Sequence, residues 1–327
     1  MTTAAAGPPG PLLEVDGLHA YFRTRGGLVK AVNGVGFAVD AGASVGIVGE
    51  SGSGKSVTAY AIAGLLEAPG YVHSGSIRLR GKDITGLPDR EMRHIRGHDI
   101  GMVFQEPMAA LNPVTRVGHQ IAEAIRAHND VGRKEAMTRA VELLRAVGIP
   151  VPERRAHDYP NSMSGGMRQR VVIAMAIAND PHLLILDEPT TALDVTVQAQ
   201  ILELVRELRE RIGTAVLLIT HDIGVIAEVC DEVIVMYGGR VMERATTAQV
   251  VHAPTHPYSV GLLESVPSGS HKGGRLKAIS GSVPTPSQMP PGCPFATRCP
   301  KAFDKCADMP PLRRLGDGRQ VACWLYE

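Results

Sequence analysis

A glycine-rich loop between two regular segments constrains this chain more than any other feature. The loop is formed by Gly49, Glu50, Ser51, Gly52, Ser53, Gly54, Lys55 and Ser56. It follows the apolar run 44–48 and precedes a helix-forming stretch, which is the strand–loop–helix order that lets backbone N–H groups converge on an anion. A glycine-rich turn without a ligand is the alternative. The eight-residue pattern favours an α/β fold that binds a nucleoside triphosphate.

Two side chains at the end of this loop predict how the triphosphate is held. Lys55 brings a mobile positive charge to the β- and γ-phosphates, and the hydroxyl of Ser56 can ligate Mg²⁺. Farther along, the apolar run 183–186 ends in the carboxylates Asp187 and Glu188. Asp187 is expected to hold the hydration shell of Mg²⁺, and Glu188 to polarise a water for in-line attack. A solvated strand end is the alternative for this pair.

Other polar residues also follow apolar runs that read as buried strands. Gln105 ends the run 99–104 and could reach Mg²⁺ or the attacking water, although a solvent-facing position is equally consistent with its place. His221 ends the run 215–220 and is expected to contact the γ-phosphate, with a structural role as the alternative. Polar residues thus follow three apolar runs, 99–104, 183–186 and 215–220, and we expect them to contribute to one site.

Ser164, Gly165 and Gly166 stand at the start of another helical run. Small residues and free N–H groups at a helix start form an anion site, so we expect a second phosphate contact here. Taken alone the triplet is weak evidence, because Ser-Gly-Gly is common in loops.

An aromatic side chain of the first strand could stack on the nucleotide base. Phe22 and Tyr21 are the candidates, and a packed strand aromatic is the alternative. The stretch 133–147 carries apolar residues at intervals of three and four, which predicts an amphipathic helix packed inside the domain.

Composition excludes some classes of function. A formal net charge of +1 and few aromatic residues offer no footprint for nucleic acid. No apolar run approaches the roughly 18 residues needed to span a bilayer, so we expect a soluble, cytoplasmic protein that could still dock on a membrane protein. Residues 1–11 are small and rich in Pro and Gly, which predicts a disordered tail rather than a signal peptide.

Together these motifs resemble the ATP-binding subunit of ABC transporters over residues 12–250. The resemblance implies a P-loop fold with a RecA-like core, an antiparallel β subdomain and an α-helical subdomain at about 106–162, all within an ATPase domain 12–257. It makes 49–56 the Walker A loop, and implies roles for residues elsewhere. These are the base-stacking Phe22, the Q-loop Gln105, the signature Ser164-Gly165-Gly166, the Walker B pair Asp187 and Glu188, the D-loop Asp194 and the switch His221.

The signature departs from the usual Leu-Ser-Gly-Gly-Gln, with Met163 and Met167 in place of Leu and Gln. Residues 104–113, 163–170 and 256–258 are similar to the oligopeptide/dipeptide importer subfamily, which includes nickel and glutathione importers. That resemblance implies two ATPase subunits, often a heterodimer of paralogues, that close around ATP.

The same resemblance implies partners at the cytoplasmic face of the inner membrane. They are two membrane permease subunits, reached through the helical subdomain, and an extracytoplasmic peptide-binding protein. A soluble ABC protein of translation or DNA repair is one alternative, although such proteins usually carry tandem ATPase domains. A redox sensor in which ATP hydrolysis is secondary is the other, and only the cysteine-rich tail supports it.

Four of the five cysteines lie in the last 35 residues, and Cys230 reads as a small core residue. The four are Cys293, Cys299, Cys306 and Cys323. Within an extension spanning 258–327, with little apolar mass, they predict a metal site at 293–323. Their wide spacing suits an iron–sulfur cluster better than zinc, and related peptide importers resemble proteins with a four-iron, four-sulfur cluster. Zinc and unmetallated cysteines are the alternatives.

Overall fold

The computed structural model describes residues 10–191, 193–265, 279–285 and 288–327. Most of the predicted N-terminal tail and most of the Pro/Ser/Gly-rich linker at 265–292 therefore lie outside the described residues. The strands are β1 (Leu13–Thr24), β2 (Gly27–Val39), β3 (Ser44–Val48), β4 (Gly70–Leu79), β5 (Lys82–Asp83), β6 (Ile100–Val103), β7 (Leu183–Asp187), β8 (Ala215–Thr220), β9 (Glu232–Tyr237), β10 (Arg240–Thr246), β11 (Arg313–Arg314) and β12 (Gln320–Val321).

The α-helices are α1 (Lys55–Ile62), α2 (Asp89–Ile95), α3 (Pro107–Ala110), α4 (Val117–Arg126), α5 (Arg133–Ala146), α6 (Pro152–Arg155), α7 (Gly165–Ala176), α8 (Val195–Ile212), α9 (Ile223–Val229), α10 (Thr247–His252) and α11 (Pro257–Glu264). Short 3-10 helices span Pro160–Ser162, Ala296–Arg298, Asp304–Ala307 and Trp324–Tyr326.

The larger sheet places the ends of the central strands side by side. Its order is β11-β12-β10-β9-β3-β8-β7-β6, and the five strands from β9 to β6 run parallel. Strands β3, β7 and β8 are buried along their whole length, as expected for apolar strands covered on both faces. Because parallel strands end at one edge, the loops after β3, β6, β7 and β8 converge there.

A second, antiparallel sheet has the order β2-β1-β4-β5. Its β2 strand touches the larger sheet next to the glycine loop, where the Asn33 N–H donates to the Gly239 carbonyl at 2.8 Å. The Gly239 N–H in turn donates to the Ser53 carbonyl at 3.0 Å. The antiparallel sheet thus supports the loop from one side.

Helices α3 to α6 form a mostly helical region between β6 and α7. In α5 the residues Ala140 and Leu144 are fully buried, and so is Val147 just beyond its end. The amphipathic stripe predicted for this helix is confirmed. The three predicted parts of the fold, a parallel core, an antiparallel sheet and a helical region, are all present.

The C-terminal segment, residues 279–285 and 288–327, packs on the main core instead of folding separately. Strands β11 and β12 extend the larger sheet beside β10. The Phe295 ring is 1% exposed and lies 5.3 Å from the Tyr237 ring and 5.2 Å from the Tyr258 ring, measured between centroids. One aromatic side chain inserted into the main core supplies the apolar mass that the tail itself lacks.

Across the described ranges, no helix combines the length and apolar character needed to cross a bilayer.

Candidate functional site

The glycines of the loop permit a backbone path that other residues could not follow. Gly54 has φ +98°, and a Cβ there would lie 2.4 Å from the Ala31 carbonyl oxygen. At Gly49 a Cβ would lie 2.1 Å from the Met236 carbonyl oxygen. Both distances are far below van der Waals contact, so the loop closes against β2 and β9 only with glycine at these positions.

Lys55, the first residue of α1, points back into the loop. Its ammonium donates to the carbonyls of Gly49 at 2.6 Å and Glu50 at 3.0 Å, and the side chain is almost fully buried. Burial lowers the pKa of Lys55, and the carboxylates of Glu188 and Asp187 act in the opposite direction. The ammonium is hydrogen-bonded only to neutral carbonyls in these two contacts. A phosphate oxygen, which is charged, would form a stronger hydrogen bond with it.

Ser56 and Asp187 meet beside the loop. The Ser56 hydroxyl donates to Asp187 Oδ1 at 2.9 Å, and Asp187 is fully buried at the end of β7. Burial raises the pKa of Asp187, and the hydrogen bond from Ser56 partly offsets this rise. Its other oxygen, Oδ2, is buried without a hydrogen-bond partner in the part of the chain that the structure describes. An unpartnered carboxylate oxygen beside a hydroxyl is a donor set that fits Mg²⁺.

The carboxylate of Glu188 is in contact with polar side chains that follow the neighbouring strands. Its Oε2 accepts hydrogen bonds from Gln105 Nε2 at 3.2 Å and Thr191 Oγ1 at 2.9 Å. His221 Nδ1 lies 3.3 Å from the same oxygen. The backbone of Glu188 has φ +47°, and its N–H donates to the Ile219 carbonyl at 2.8 Å. The left-handed conformation turns the chain sharply at the end of β7 and places the carboxylate in this group.

The Ser164-Gly165-Gly166 segment stands at the start of helix α7 and not at the end of a strand. Ser164 caps α7, where its Oγ accepts from the Met167 N–H at 3.3 Å, and a Cβ on Gly166 would overlap Val197 at 2.6 Å. Within the described ranges, no hydrogen bond or ion pair joins this segment to the glycine loop. In the described residues, the two predicted phosphate-binding surfaces are therefore not joined by a direct polar contact.

Asp194 caps the next helix, α8, by accepting from the Val197 N–H at 2.9 Å. Asp194 and Gly166 therefore both lie next to Val197. The predicted D-loop and signature residues are thus neighbours.

Of the two aromatic candidates, Phe22 lies near the end of β1 with its ring against Gly70 of β4. Tyr21 is buried, stacks on His73 at 4.7 Å between ring centroids, and donates to Asn33 at 3.4 Å.

Three residues that contact the site escaped the sequence reasoning. Thr191 donates to Glu188, and its proximity along the chain was the available signal. Tyr258 and Arg298 contact Glu50 of the loop from 208 and 248 positions away. Tyr258 belongs to a segment noted only for its family resemblance, and Arg298 to the cysteine-rich segment. No local pattern connects either residue with the loop.

The prediction of a metal site in the cysteine-rich tail, whether iron–sulfur or zinc, is wrong. Throughout the described residues, which include all four tail cysteines, no group of three or more His, Cys, Asp or Glu could hold a metal ion. The cysteines are free thiols around a cavity of about 10 Å³, the least that one water needs. Burial raises the pKa of Cys293 to about 11.

Two family models match the chain. The model described as "ABC transporter" matches residues 32–191, and that described as "Oligopeptide/dipeptide transporter, C-terminal region" matches residues 242–306. The first range contains the glycine loop, Gln105, the Ser-Gly-Gly segment and Glu188. The second contains Tyr258 and Arg298.

Known relatives align over nearly the whole chain. The oligopeptide transport ATP-binding protein AppD of Bacillus subtilis is 51% identical, with 97% of both chains covered. The oligopeptide transport ATP-binding protein OppD of Salmonella typhimurium is 48% identical, with 98% of this chain and 96% of the relative covered.

Among solved structures, the ATP-binding cassette MJ0796, a dimer in a post-hydrolysis state with ADP and Pi, superposes with a TM-score of 0.65. It is 29% identical, and the match covers 72% of this chain and 98% of that one.

Proposed function

The chain belongs to the family of oligopeptide transport ATP-binding proteins of ABC transporters, and from this premise we propose how its residues act. It is an ATPase of the peptide-import type, and its cofactors are ATP and Mg²⁺. One observation carries the assignment of catalytic roles. One oxygen of Glu188 is in polar contact with Gln105, Thr191 and His221. The neighbouring Asp187 is hydrogen-bonded to Ser56 of the phosphate-binding loop.

Glu188 is the proposed general base. Its carboxylate is oriented by hydrogen bonds to one oxygen, which leaves Oε1 to orient a water and accept its proton during attack on the γ-phosphate. Gln105 and His221 are close enough to contact the same water or the γ-phosphate. Both side chains act by position, because phosphoryl transfer depends mainly on alignment and on stabilisation of charge.

The phosphate-binding loop 49–56 is proposed to hold the β- and γ-phosphates. Its N–H groups and the N-terminal end of α1 face the anion, and Lys55 exchanges its carbonyl partners for phosphate oxygens. Ser56, Asp187 and Gln105 are the residues proposed to hold Mg²⁺ or its water ligands. Bound there, Mg²⁺ would neutralise charge on the transferring phosphoryl group. Phe22 is the proposed base-stacking residue.

The second phosphate-binding surface is proposed to act on the ATP of another subunit. Ser164, Gly165, Gly166 and Asp194 lie together but make no hydrogen bond to the loop in the described parts of this chain. A face-to-face dimer would place each Ser-Gly-Gly surface over the partner's loop, so that hydrolysis requires closure. The dimeric cassette among the solved structures supports this arrangement. A heterodimer with a paralogous ATPase is the expected form.

Closure would be coupled to transport through membrane partners. We propose two permease subunits, contacted by the helical subdomain at about 106–162, and an extracytoplasmic binding protein that delivers peptides. The ATPase would then lie at the cytoplasmic face of the inner membrane. The proposed division of the chain is an ATPase domain at 12–257 and an extension at 258–327.

Peptides are the proposed solute, with nickel or glutathione as alternatives within the subfamily. The match of residues 242–306 to the oligopeptide/dipeptide transporter C-terminal region favours a transport role over a soluble ABC protein of translation or DNA repair.

The test is the Glu188→Gln variant in the assembled transporter. We expect ATP binding to persist while the rate of hydrolysis falls by about 10²- to 10⁴-fold, because the general base is lost. Peptide uptake should fall with it. Glu207→Gln is the matched control, since Glu207 is exposed on α8. Unchanged uptake in Glu188→Gln would refute the proposal, and loss of ATP binding would refute the role given to Glu188.

A further inference from the structure

Glu50, the second residue of the phosphate-binding loop, is held by an arginine from the C-terminal segment. Arg298 Nη1 lies 2.6 Å from Glu50 Oε2, and Nη2 lies 3.1 Å from Oε1, so the ion pair is bidentate. The Arg298 side chain is only 4% exposed. The Glu50 side chain is 30% exposed, so the pair is only partly shielded from solvent, but its bidentate geometry fixes the orientation of both groups.

A second contact from the same side holds the backbone of Glu50. Its N–H donates to the Tyr258 hydroxyl at 2.8 Å. Tyr258 is fully buried, and its ring centroid lies 4.8 Å from that of Tyr237. The Tyr237 hydroxyl in turn accepts from Arg298 at 3.3 Å. Side chain and backbone of one loop residue are therefore both attached to a packed aromatic group.

The Glu50 carboxylate is a negative charge in a loop that must receive negatively charged phosphates. Left unpaired it would repel them, and it would also attract Lys55, whose ammonium already lies 3.0 Å from the Glu50 carbonyl. Paired with Arg298 it is neutralised. Because the Glu50 N–H donates to Tyr258, it is not available to a phosphate. The same hydrogen bond fixes the orientation of the peptide at the start of the loop.

We propose that Arg298 is a positioning residue for ATP binding, which neutralises Glu50 and, with Tyr258, holds the phosphate-binding loop in its receptive conformation. The inference rests on the proposed function, since it concerns how that ATP site is formed. It makes Arg298, together with the backbone at 279–281 that it binds, a support of the nucleotide site that is not expected to touch ATP.

The alternative is that Arg298 only stabilises the C-terminal segment, and other hydrogen bonds of its side chain are consistent with that role. Arg298 also donates to the carbonyls of Ile279, Ser280 and Gly281 at 2.9–3.3 Å. The informative variant is therefore Arg298→Gln, because glutamine removes the charge but keeps N–H donors. Glu50→Gln in the same chain removes the charge left behind.

The experiment measures the affinity of the full-length chain for MgATP with a fluorescent ATP analogue, and steady-state ATPase kinetics on the assembled transporter that contains it. For Arg298→Gln we expect Kd and KM to rise about tenfold and kcat to change less than about twofold, since the loss affects binding of the phosphates. The double variant Glu50→Gln/Arg298→Gln should return to within about threefold of wild type, because the repulsive charge is gone. Arg319→Gln is the control, since Arg319 pairs with Asp317 in the same segment without touching the loop.

Each result separates the roles. An unchanged Kd in Arg298→Gln overturns the inference. So does an equal loss in the single and double variants with lowered melting temperatures, which would make Arg298 structural only. A wild-type chain that fails to bind MgATP overturns the proposed function itself, whereas normal wild-type binding with an unaffected variant overturns this inference alone.

Discussion

The phosphate-binding loop has two sides, and they are built from different kinds of sequence. On its front side, Lys55, Ser56, Asp187 and Glu188 meet at the ends of parallel strands. On its back side, Glu50 is held by Tyr258 and Arg298, which come from segments far along the chain. The front consists of motif residues whose chemistry is recognisable in isolation. The back consists of ordinary residues that matter only because the fold brings them together.

The difference shows that a recognisable motif does not form a site by itself. A glycine loop is flexible, and its N–H groups converge only if the chain behind it is supported. In this chain the support comes from β2, β9 and the C-terminal segment. Variants on the two sides should therefore fail for different reasons, those on the front through lost contacts to the nucleotide and those on the back through altered geometry of the loop, which lowers affinity or stability.

The largest effect is expected where the loop backbone presses on its support. Gly54→Ala would place a Cβ 2.4 Å from the Ala31 carbonyl oxygen, and should lower the free energy of unfolding by about 3 kcal/mol. Gly52→Ala is the matched control. Gly52 also has positive φ, but nothing lies within 4 Å of its Cβ position, so strain alone should cost about 1 kcal/mol. Denaturant unfolding measures both, and equal losses would contradict the close packing behind the loop.

Removal of the front-side cation should act on affinity instead of stability. Lys55→Ala is expected to raise the Kd for MgATP about 100-fold, since a buried charge-assisted contact to phosphate is lost. Lys82→Ala, at an exposed position of β5, is the control for charge. If titration with an ATP analogue gave the same Kd for both variants, the proposed contact between Lys55 and the phosphates would be wrong.

The back side carries a pH dependence through His256. This side chain is buried, its Nδ1 accepts from the Tyr258 N–H, and burial lowers its pKa from 6.5 to about 3. Because the unfolded chain takes up the proton first, stability is complete above pH 6.5 and is lost as pH falls toward the folded pKa. The expected loss is about 1.4 kcal/mol per pH unit over this window.

His256→Asn should abolish that loss while keeping a residue that caps α11. The measurement is denaturant unfolding at several values between pH 7 and pH 5. His252→Asn, at an exposed position of α10, should leave the wild-type slope unchanged. A parallel pH dependence of His256→Asn and wild type would exclude His256 as the cause.

The smallest effect is expected for the orienting hydroxyl on the front side. Thr191→Val removes one hydrogen bond to Glu188, so kcat should fall about fivefold, which corresponds to about 1 kcal/mol. Thr191→Ser keeps the hydroxyl and should retain most of the activity. Equal rates for valine and serine would show that the hydrogen bond does not orient the base.

Much of the fold and of the front side followed from local patterns. Short apolar runs predicted β3, β7 and β8, because a run of about four to six apolar residues between turn-forming or polar residues is typical of a buried strand. The placement of Gln105, Glu188 and His221 in one group followed from parallel strands, which bring their carboxyl ends to one edge.

The cysteine-rich tail shows where local reasoning failed. Its four cysteines predicted a metal site because the segment has little apolar mass of its own. The structure instead packs Phe295 against both Tyr237 and Tyr258, so that contact with the core stabilises the tail. Neither this contact nor the Arg298–Glu50 pair has a signal in residue spacing, since the partners are 37 to 248 positions apart.

The sequence by itself determined the chemistry of this protein: a loop for phosphates, a carboxylate pair and a second Ser-Gly-Gly surface. These depend on residue types at short spacing, where backbone geometry allows few outcomes. Only the tertiary structure decided that Tyr258 and Arg298 contact Glu50 of the loop, and that Phe295 packs on the main core. Those facts depend on packing between distant segments, whose free energy is a sum over many weak contacts and has no local signature.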